Sequence, residues 1–371
     1  MKAPFPLSID AFVDDPALQQ RDIIDVRSPS EYAEDHLPGA VNLPVLDDAE
    51  RALVGTLDRE QGSFAANRDG AARVGRRISA MLEGPLAGKP KDWSPIVYCW
   101  RGGSRSWSLA TVLARIGWKV SLLEGGYRGF RQRVIADTAR LAPTLHLVVL
   151  AGPTGVGKTR LLQLAADAGH QVLDLEALAN HRGSVLGARP DVPQPSQKAF
   201  ESRLWRALRA IDPARPVLVE SESRKIGRLH LPDPVIGAMR AARCIRIETS
   251  TATRIALLRD EYRHFEEDPA PLLAQLDRLE PLHADGRVKA WRGHVERGDW
   301  DGLVAALLAQ HYDPAYFRSM RRNYVGIDAA PQLALDGASD DAFEAAVRGL
   351  GRLIAAPPDA IAPAPAPAAR A

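Results

Sequence analysis

"LHLVVLAGPTGVGKTRLLQLAADAG", from Leu145 to Gly169, decides the fold of the larger part of this chain. Its opening residues form an apolar run of the kind that becomes a parallel strand buried on both faces. "RLLQLAADAG" (Arg160 to Gly169) reads as a helix, and between them "GPTGVGKT" fits GxxxxGK[ST] at every required position. Gly152, Gly155 and Gly157 let backbone amides approach phosphate oxygens, and the helix N-terminus favours negative charge. Lys158 neutralises that charge, and the Thr159 hydroxyl can hold Mg²⁺. Strand, loop and helix in this order predict a diphosphate or triphosphate site in an α/β domain. The loop specifies an anion, not a reaction.

Downstream, "HQVLDLEAL" (His170 to Leu178), "RPVLVESES" (Arg215 to Ser223) and "RCIRIETS" (Arg243 to Ser250) read as further strands with helical segments between them. An acid ending a neighbouring strand should complete the phosphate site. Asp174 and Glu220 both qualify as Mg²⁺ ligand or base, and a carboxylate that merely caps the next helix fits either position as well. Arg182 and Ser184 stand in the glycine-containing loop "NHRGSVLG" as candidate substrate contacts. Arg224 and Lys225 follow the Arg215 to Ser223 strand at its carboxyl end, the side where α/β sheets bind ligands.

A second α/β unit precedes this one. "DIIDVR" (Asp22 to Arg27), "SPIVYC" (Ser94 to Cys99) and "KVSLLEGG" (Lys119 to Gly126) read as strands, and "SWSLATVLARIG" (Ser106 to Gly117) as the helix of a parallel crossover. Cys99 ends the middle strand. Amides of Gly102, Gly103 and Ser104 at a helix N-terminus, with Arg101 and Arg105 nearby, favour a thiolate there and mark Cys99 as a nucleophile. Cys244, inside an apolar strand, reads as core. The boundary falls near residue 140, with Val134 to Thr144 as a linker ended by Pro143. The expected organisation is 1–140, 141–335 and a terminal segment 336–371, a helix followed by an Ala/Pro-rich tail expected to be disordered.

Composition narrows the class. The 371 residues are 46% hydrophobic and 25% charged, as in soluble globular proteins, with no apolar run suited to a membrane span. The N-terminus lacks an apolar signal core, so a cytoplasmic location and no membrane partner are expected. Two distant cysteines exclude a disulfide framework and the spacing of a zinc site, so no metal site of protein ligands alone is expected. A net charge of +2 neither demands nor excludes nucleic acid. Locally, "RVKAWRGHVERGDW" (Arg287 to Trp300) and "YFRSMRRNYV" (Tyr316 to Val325) mix basic and aromatic residues in a way that suits an RNA loop. They read equally as solvated helix faces with Trp291 and Trp300 in the core.

"IIDVRSPSEYAEDHLPGAVNLPV" (Ile23 to Val45), "YCWRGGSRS" and "LLEGGYRGFR" (Leu122 to Arg131) resemble the rhodanese fold. The resemblance makes Asp25, Arg27 and His36 structural and Cys99 the carrier of a persulfide or related adduct. Arg105 lies six positions after Cys99, the spacing of rhodanese-like phosphatases, which suits a phosphate-bearing donor better than thiosulfate. Taken with the phosphate loop and with "NHRGSVLG", "QPSQKAFES", "VLVESESRKIG" and "HYDPAYFRSM", the chain resembles the tRNA 2-selenouridine synthase family over nearly its whole length.

That resemblance implies an α/β protein with an N-terminal rhodanese-like domain followed by a P-loop NTPase-like three-layer α/β domain. It implies exchange of sulfur for selenium in wobble 2-thiouridine of tRNA, with selenophosphate as donor and S-geranyl-2-thiouridine, made from geranyl diphosphate, as intermediate. Tightly bound cofactors are not expected, with Mg²⁺ the one ion the phosphate loop could engage. The partners implied are tRNA and an enzyme that supplies selenophosphate. Two other readings remain open at the level of sequence: a rhodanese-like sulfurtransferase or phosphatase fused to an ATP-dependent kinase, and a non-catalytic module that senses a thiol and switches on a nucleotide.

Overall fold

The computed structural model describes residues 3–184, 187, 192–283 and 285–355. The chain divides into two compact units, Met1–Asp137 with Pro195–Ser202, and Thr138–Gln194 with Arg203–Ala371. The Ala/Pro-rich tail and Val185 and Leu186 of "NHRGSVLG" lie outside the described residues.

In the first unit five short strands, β1 (Phe5–Leu7), β2 (Ile23–Asp25), β3 (Ala40–Asn42), β4 (Ile96–Tyr98) and β5 (Ser121–Leu123), form a sheet of order β1-β5-β4-β2-β3. All four pairings are parallel. A parallel sheet needs cover on both faces, and β2 and β4 are accordingly buried at every residue. Ile24, Val97, Leu109 and Leu113 share one core with Val74, Ile78 and Met81 from a long helix, Ser63–Glu83. β4 is the central strand, so its carboxyl end places Cys99 against the helix Ser104–Ile116.

The signature residues near β2 are a buried polar hub. Arg27 and Asp25, both 0% exposed, pair at 2.6 Å. Tyr98 Oη donates to Asp25 Oδ2 at 2.7 Å, and the Arg27 guanidinium lies 3.9 Å from the Tyr127 ring centroid. Asp35 accepts from Tyr127 Oη at 2.9 Å and from Ser202 Oγ at 2.8 Å. His36 stacks on Tyr32, with Nδ1 2.9 Å from the Tyr32 carbonyl oxygen.

The stretch expected to be a linker is instead mostly helix. Gly126–Leu141 is one helix, Val134 and Ala142 are each 1% exposed, and only Ala142–Thr144 at Pro143 tightens into a 3₁₀ turn. Val134 and Ala142 are drawn into cores while Ile135 stays 60% exposed, an amphipathic pattern that a proline-based boundary does not reveal.

The second unit carries β6 (Leu147–Ala151), β7 (Gln171–Leu173), β8 (Val217–Glu220), β9 (Lys225–Ile226), β10 (Leu229–His230), β11 (Arg243–Glu248) and β12 (Gln332–Ala334). Its main sheet, β12-β11-β6-β8-β7, is parallel throughout, and β9 and β10 form a small antiparallel hairpin. Every residue of β6 is buried. Because β7 lies beyond β8 while β11 lies on the other side of β6, connections diverge from β6, and ligands bind at such a switch point.

The terminal helix Asp340–Ala355 belongs to this unit's core: Phe343 and Leu350, both 0% exposed, pack with Leu161 and Leu162. A helical layer spanning 251–323 has its own core around Trp291, Leu276 and Leu307. Among the described residues, no helix is long and apolar enough to cross a membrane.

Candidate functional site

Cys99 is 3% exposed. Ser106 Oγ donates toward its Sγ at 3.2 Å, and the carbonyl oxygen of Gly103 lies 3.9 Å from the sulfur. Gly103 is the N-cap of the helix Ser104–Ile116 and brings no side-chain cap, so the first-turn amides remain available to an anion. Gly126 (φ 53°) permits the tight approach of the following loop. A Cβ there would collide with the Cys99 carbonyl oxygen and stand 2.7 Å from the Gly102 amide nitrogen. That approach lets Tyr127 N donate to the Cys99 carbonyl at 2.9 Å.

Of the two arginines expected to aid an oxyanion, Arg101 is exposed, and Arg105 binds Glu31 at 2.7 Å. Glu31 also receives Arg51 at 3.1 Å. Glu31, Arg51 and Arg105, with Trp100, Ser104 and Ser108, line a cleft of about 870 Å³, which Arg101 does not line.

Burial alone would raise the Glu31 carboxyl, but the hydrogen bond and charge of Arg105 and the Ser28 amide hold it at about 2. Its folded value lies below the ordinary 4.5, so this pairing stabilises the fold above pH 4.5 and the contribution is lost as pH falls toward about 2. Urea denaturation across that window is expected to show a steeper loss for wild type than for Glu31→Gln. Parallel curves would refute the pairing.

In the second unit the phosphate loop joins β6 to the helix Lys158–Asp167. Gly155 (φ 83°) and Gly157 (φ 76°) are doubly required: beyond their backbone angles, an added Cβ would stand 2.7 Å from Leu258 and 2.7 Å from Phe343, respectively. Lys158 Nζ donates to the Gly152 carbonyl at 2.7 Å. Arg254, 6% exposed, fixes the loop from outside, giving Nε to the Thr154 carbonyl at 2.9 Å and a two-pronged contact to Asp313 at 2.6 and 2.9 Å. A cleft of about 480 Å³ opens over the loop, and Gly155, Gly157, Lys158 and Thr159 all line it.

The two candidate acids separate. Asp174 caps the helix Leu175–Ala179, accepting from Ala177 N at 2.8 Å. Glu220 is 0% exposed at the end of β8, with Oε1 accepting from Glu176 N at 3.3 Å. Thr159 Oγ1 donates to Glu176 Oε2 at 2.9 Å, making Glu176 the acid adjacent to the loop threonine. Sequence reading missed Glu176. The strand in "HQVLDLEAL" ends at Leu173 and the helical turn begins at Leu175, so the second acid after the strand, not the first, turns toward the loop.

Glu176, Glu220 and Glu222 each offer an oxygen within 4.8 Å of the others'. Burial raises all three carboxyls; against the lowering effect of the Lys158 charge and the Thr159 hydrogen bond, with Glu261 and Asp174 adding to the rise, Glu176 is pushed to about 7, and the Glu176 charge adds to the rise at Glu220 and at Glu222, the latter pushed to about 8. Gly183 (φ 67°) brings the loop holding Arg182 and Ser184 against them, since its Cβ would stand 2.5 Å from oxygens of both Glu176 and Glu222.

Arg182 and Ser184 line the cleft. Arg182 pairs with Glu261 at 3.1 Å, and Ser184 Oγ lies 3.2 Å from Tyr262 Oη. Arg224 and Lys225 do not line it: both are exposed, Lys225 in β9 of the hairpin and Arg224 just before it, where Arg224 pairs with Asp233. Cys244 is core, its thiol pushed up to about 11 by burial. In the basic stretch 287–300, Trp291 is fully buried with Nε1 on Gln310 and Trp300 faces an apolar pocket, so the aromatic readings resolve toward packing there. In the second stretch Phe317, 50% exposed, stands with exposed Arg318 and Arg321, while Tyr316 points into the cleft.

Beside the phosphate cleft lies an almost wholly carbon-lined pocket that shares Thr154, Ser184 and Tyr262 with it. Leu272, Trp300, Leu303 and Leu307 close its far side, and a π-helical turn, Leu308–Tyr312, shapes one wall.

Residues 8–133 match the family profile described as a rhodanese-like domain, and 145–270 the one described as the tRNA 2-selenouridine synthase AAA domain. The chain is 41% identical over 244 residues to the tRNA 2-selenouridine synthase of Nitrosomonas europaea, covering 65% of this chain and 63% of that protein. It is 33% identical over 338 residues to the tRNA 2-selenouridine synthase of Sulfurovum sp. (strain NBC37-1), covering 82% of this chain and 90% of that protein. The chain belongs to the tRNA 2-selenouridine synthase family. A further family member, from Alcanivorax borkumensis, is 34% identical over 335 residues, with 81% and 89% covered. Within this tRNA 2-selenouridine synthase family chain, the two profiles contain Cys99, the phosphate loop and all three glutamates, whereas Trp300, Leu303 and Leu307 of the apolar pocket lie beyond them.

Proposed function

We propose that this chain exchanges sulfur for selenium in wobble 2-thiouridine of tRNA, by way of an S-geranyl intermediate made from geranyl diphosphate, with selenophosphate as selenium donor. The observation carrying this reading is the small carbon-lined pocket, about 70 Å³, that shares Thr154, Ser184, Leu258 and Tyr262 with the phosphate cleft, because it sets apolar walls for part of a hydrocarbon chain directly beside a diphosphate site. The 2-thiouridine sulfur attacks the allylic carbon of the ligand, the carbon–oxygen bond breaks, and diphosphate leaves with its charge received by Lys158 and the loop amides. Alkylation makes sulfur the better leaving group, so the selenium of selenophosphate can add at C2 and expel geranylthiol, and water then attacks phosphorus, breaking the phosphorus–selenium bond to release phosphate and leave 2-selenouridine. The Cys99 loop, with an uncapped helix N-terminus, suits the tetrahedral anion of selenophosphate. No tightly bound cofactor is required by this scheme. The partners are tRNA and an enzyme that makes selenophosphate, in a cytoplasmic setting.

Mass spectrometry of the wobble nucleoside tests it. Wild-type protein given 2-thiouridine tRNA and geranyl diphosphate alone is expected to accumulate S-geranyl-2-thiouridine, and adding selenophosphate should convert it to 2-selenouridine. An unchanged nucleoside in the first incubation, with ATP hydrolysed instead, would favour the kinase-fusion alternative.

A further inference from the structure

The cleft beside the cysteine loop lies wholly within the first unit and draws on two unlike sources. Trp100, Ser104, Arg105 and Ser108 come from the cysteine loop and the helix Ser104–Ile116 that follows it. The rest of the lining comes mainly from a hairpin of two helices, Asp48–Gln61 and Ser63–Glu83, which presents Val54, Ala66, Ala71 and Val74. On the second of these helices the lining positions recur every three or four residues, so one continuous face looks onto the cleft. Ala71 is exposed and Val54 half-buried, which leaves apolar surface open there. The charged side chains of the cleft balance, Glu31 and Glu34 against Arg51 and Arg105, and Glu31 holds both arginines. With its arginines so occupied the cleft is not a second anion site, and the uncapped first turn of Ser104–Ile116 keeps that role. Its volume of about 870 Å³ falls within the roughly 300–1,000 Å³ of small-molecule sites.

The two-step reading proposed above, on which this inference rests, sets a requirement at this place. Selenium adds at C2 of the wobble base while the departing sulfur still carries its hydrocarbon chain. When C2 meets the donor at the cysteine loop, that chain must therefore lie beside the loop. We propose that the hairpin face of Val54, Ala66, Ala71 and Val74 is a subsite for the hydrocarbon arm of the S-alkylated nucleoside during the selenium step. A nucleoside with no alkyl group, or a short one, leaves this face wet, so the subsite selects the long-chain intermediate. Each methylene taken out of water is worth roughly fourfold in affinity, and binding energy from a non-reacting part of the substrate raises kcat/KM. This subsite is separate from the small apolar pocket beside the phosphate loop, which belongs to the second unit.

The test follows selenium incorporation from selenophosphate into two prepared tRNAs, one with S-geranyl-2-thiouridine and one with S-methyl-2-thiouridine at the wobble position, by mass spectrometry of the nucleoside. Wild type is expected to favour the geranyl tRNA in kcat/KM by at least about tenfold. Ala71→Glu puts a carboxylate on the exposed apolar face with a good helix former, and should slow the geranyl tRNA by about tenfold while leaving the S-methyl tRNA close to its wild-type rate. Val54→Thr, which adds a hydroxyl at nearly the same shape, should lower the preference in the same direction. Ala72→Glu is the control for added charge, because Ala72 is exposed on the same helix and does not line the cleft, and it should keep the wild-type preference. Circular dichroism checks that each variant is folded. The subsite is overturned, with the two-step reaction left standing, if wild type converts both tRNAs equally, if folded Ala71→Glu and Val54→Thr keep the full preference, or if Ala72→Glu loses it as Ala71→Glu does. Selenium in neither tRNA with wild type would instead remove the two-step reading itself, and the subsite with it.

Discussion

Lys158→Ala is expected to slow S-geranylation of 2-thiouridine tRNA by about 10²- to 10³-fold, the usual loss when one preorganised charge-stabilising donor is removed from an active site. The leaving diphosphate gains negative charge as its bond to carbon breaks, so the lysine contributes most in the transition state. Lys158 Nζ is positioned in advance by the Gly152 carbonyl, and the loop is fixed by Arg254 on Thr154, so little rearrangement is needed when the ligand arrives. A tRNA already carrying the geranyl group bypasses this step. On that substrate Lys158→Ala should accept selenium as wild type does, whereas Cys99→Ala should fail on it and still geranylate unmodified 2-thiouridine. Single-turnover assays on the two tRNAs separate the steps. If Lys158→Ala were equally defective on pre-geranylated tRNA, the assignment of the loop to the diphosphate step would be wrong.

The parallel strands, the phosphate loop and the cysteine loop were legible because each is local: a short apolar run, a glycine pattern and a helix start lie within about fifteen residues of one another. What sequence could not reveal depends on long-range packing. Glu176 was passed over for Asp174, although the turn after β7 gives Asp174 to the helix cap and Glu176 to Thr159. The apolar pocket draws on Thr154, Tyr262, Leu272 and Trp300, and no spacing rule joins residues so distant in the chain. Val134 to Thr144 reads as a linker because proline marks an end, yet most of it is helix, with Val134 and Ala142 buried. Trp291 and Trp300 have two open readings in the sequence; full burial decides Trp291, and Trp300, half-buried, lines the apolar pocket.

The buried hub of the first unit carries the second large expectation. Asp25→Ala should destabilise that unit by about 3–5 kcal/mol, because it strands the Arg27 guanidinium in a site where both residues are 0% exposed. Among the described residues Arg27 Nη1 already has no hydrogen-bond partner, and after the substitution Nη2 would keep the Asp35 carbonyl. Tyr98 would lose the acceptor of its hydroxyl at the same time. Since Tyr98 is the last residue of β4 and Cys99 follows it, the damage reaches the cysteine loop directly. Urea denaturation should show the loss in stability, and Cys99, 3% exposed in the intact protein, should react faster with a disulfide reagent under native conditions. Replacing the ion pair as a unit, with Asp25→Leu and Arg27→Met together, should recover much of the stability, because two buried charges are removed and none is left alone. A loss below about 1 kcal/mol for Asp25→Ala would mean that water reaches Arg27 and that the hub is not the dry ion pair described above.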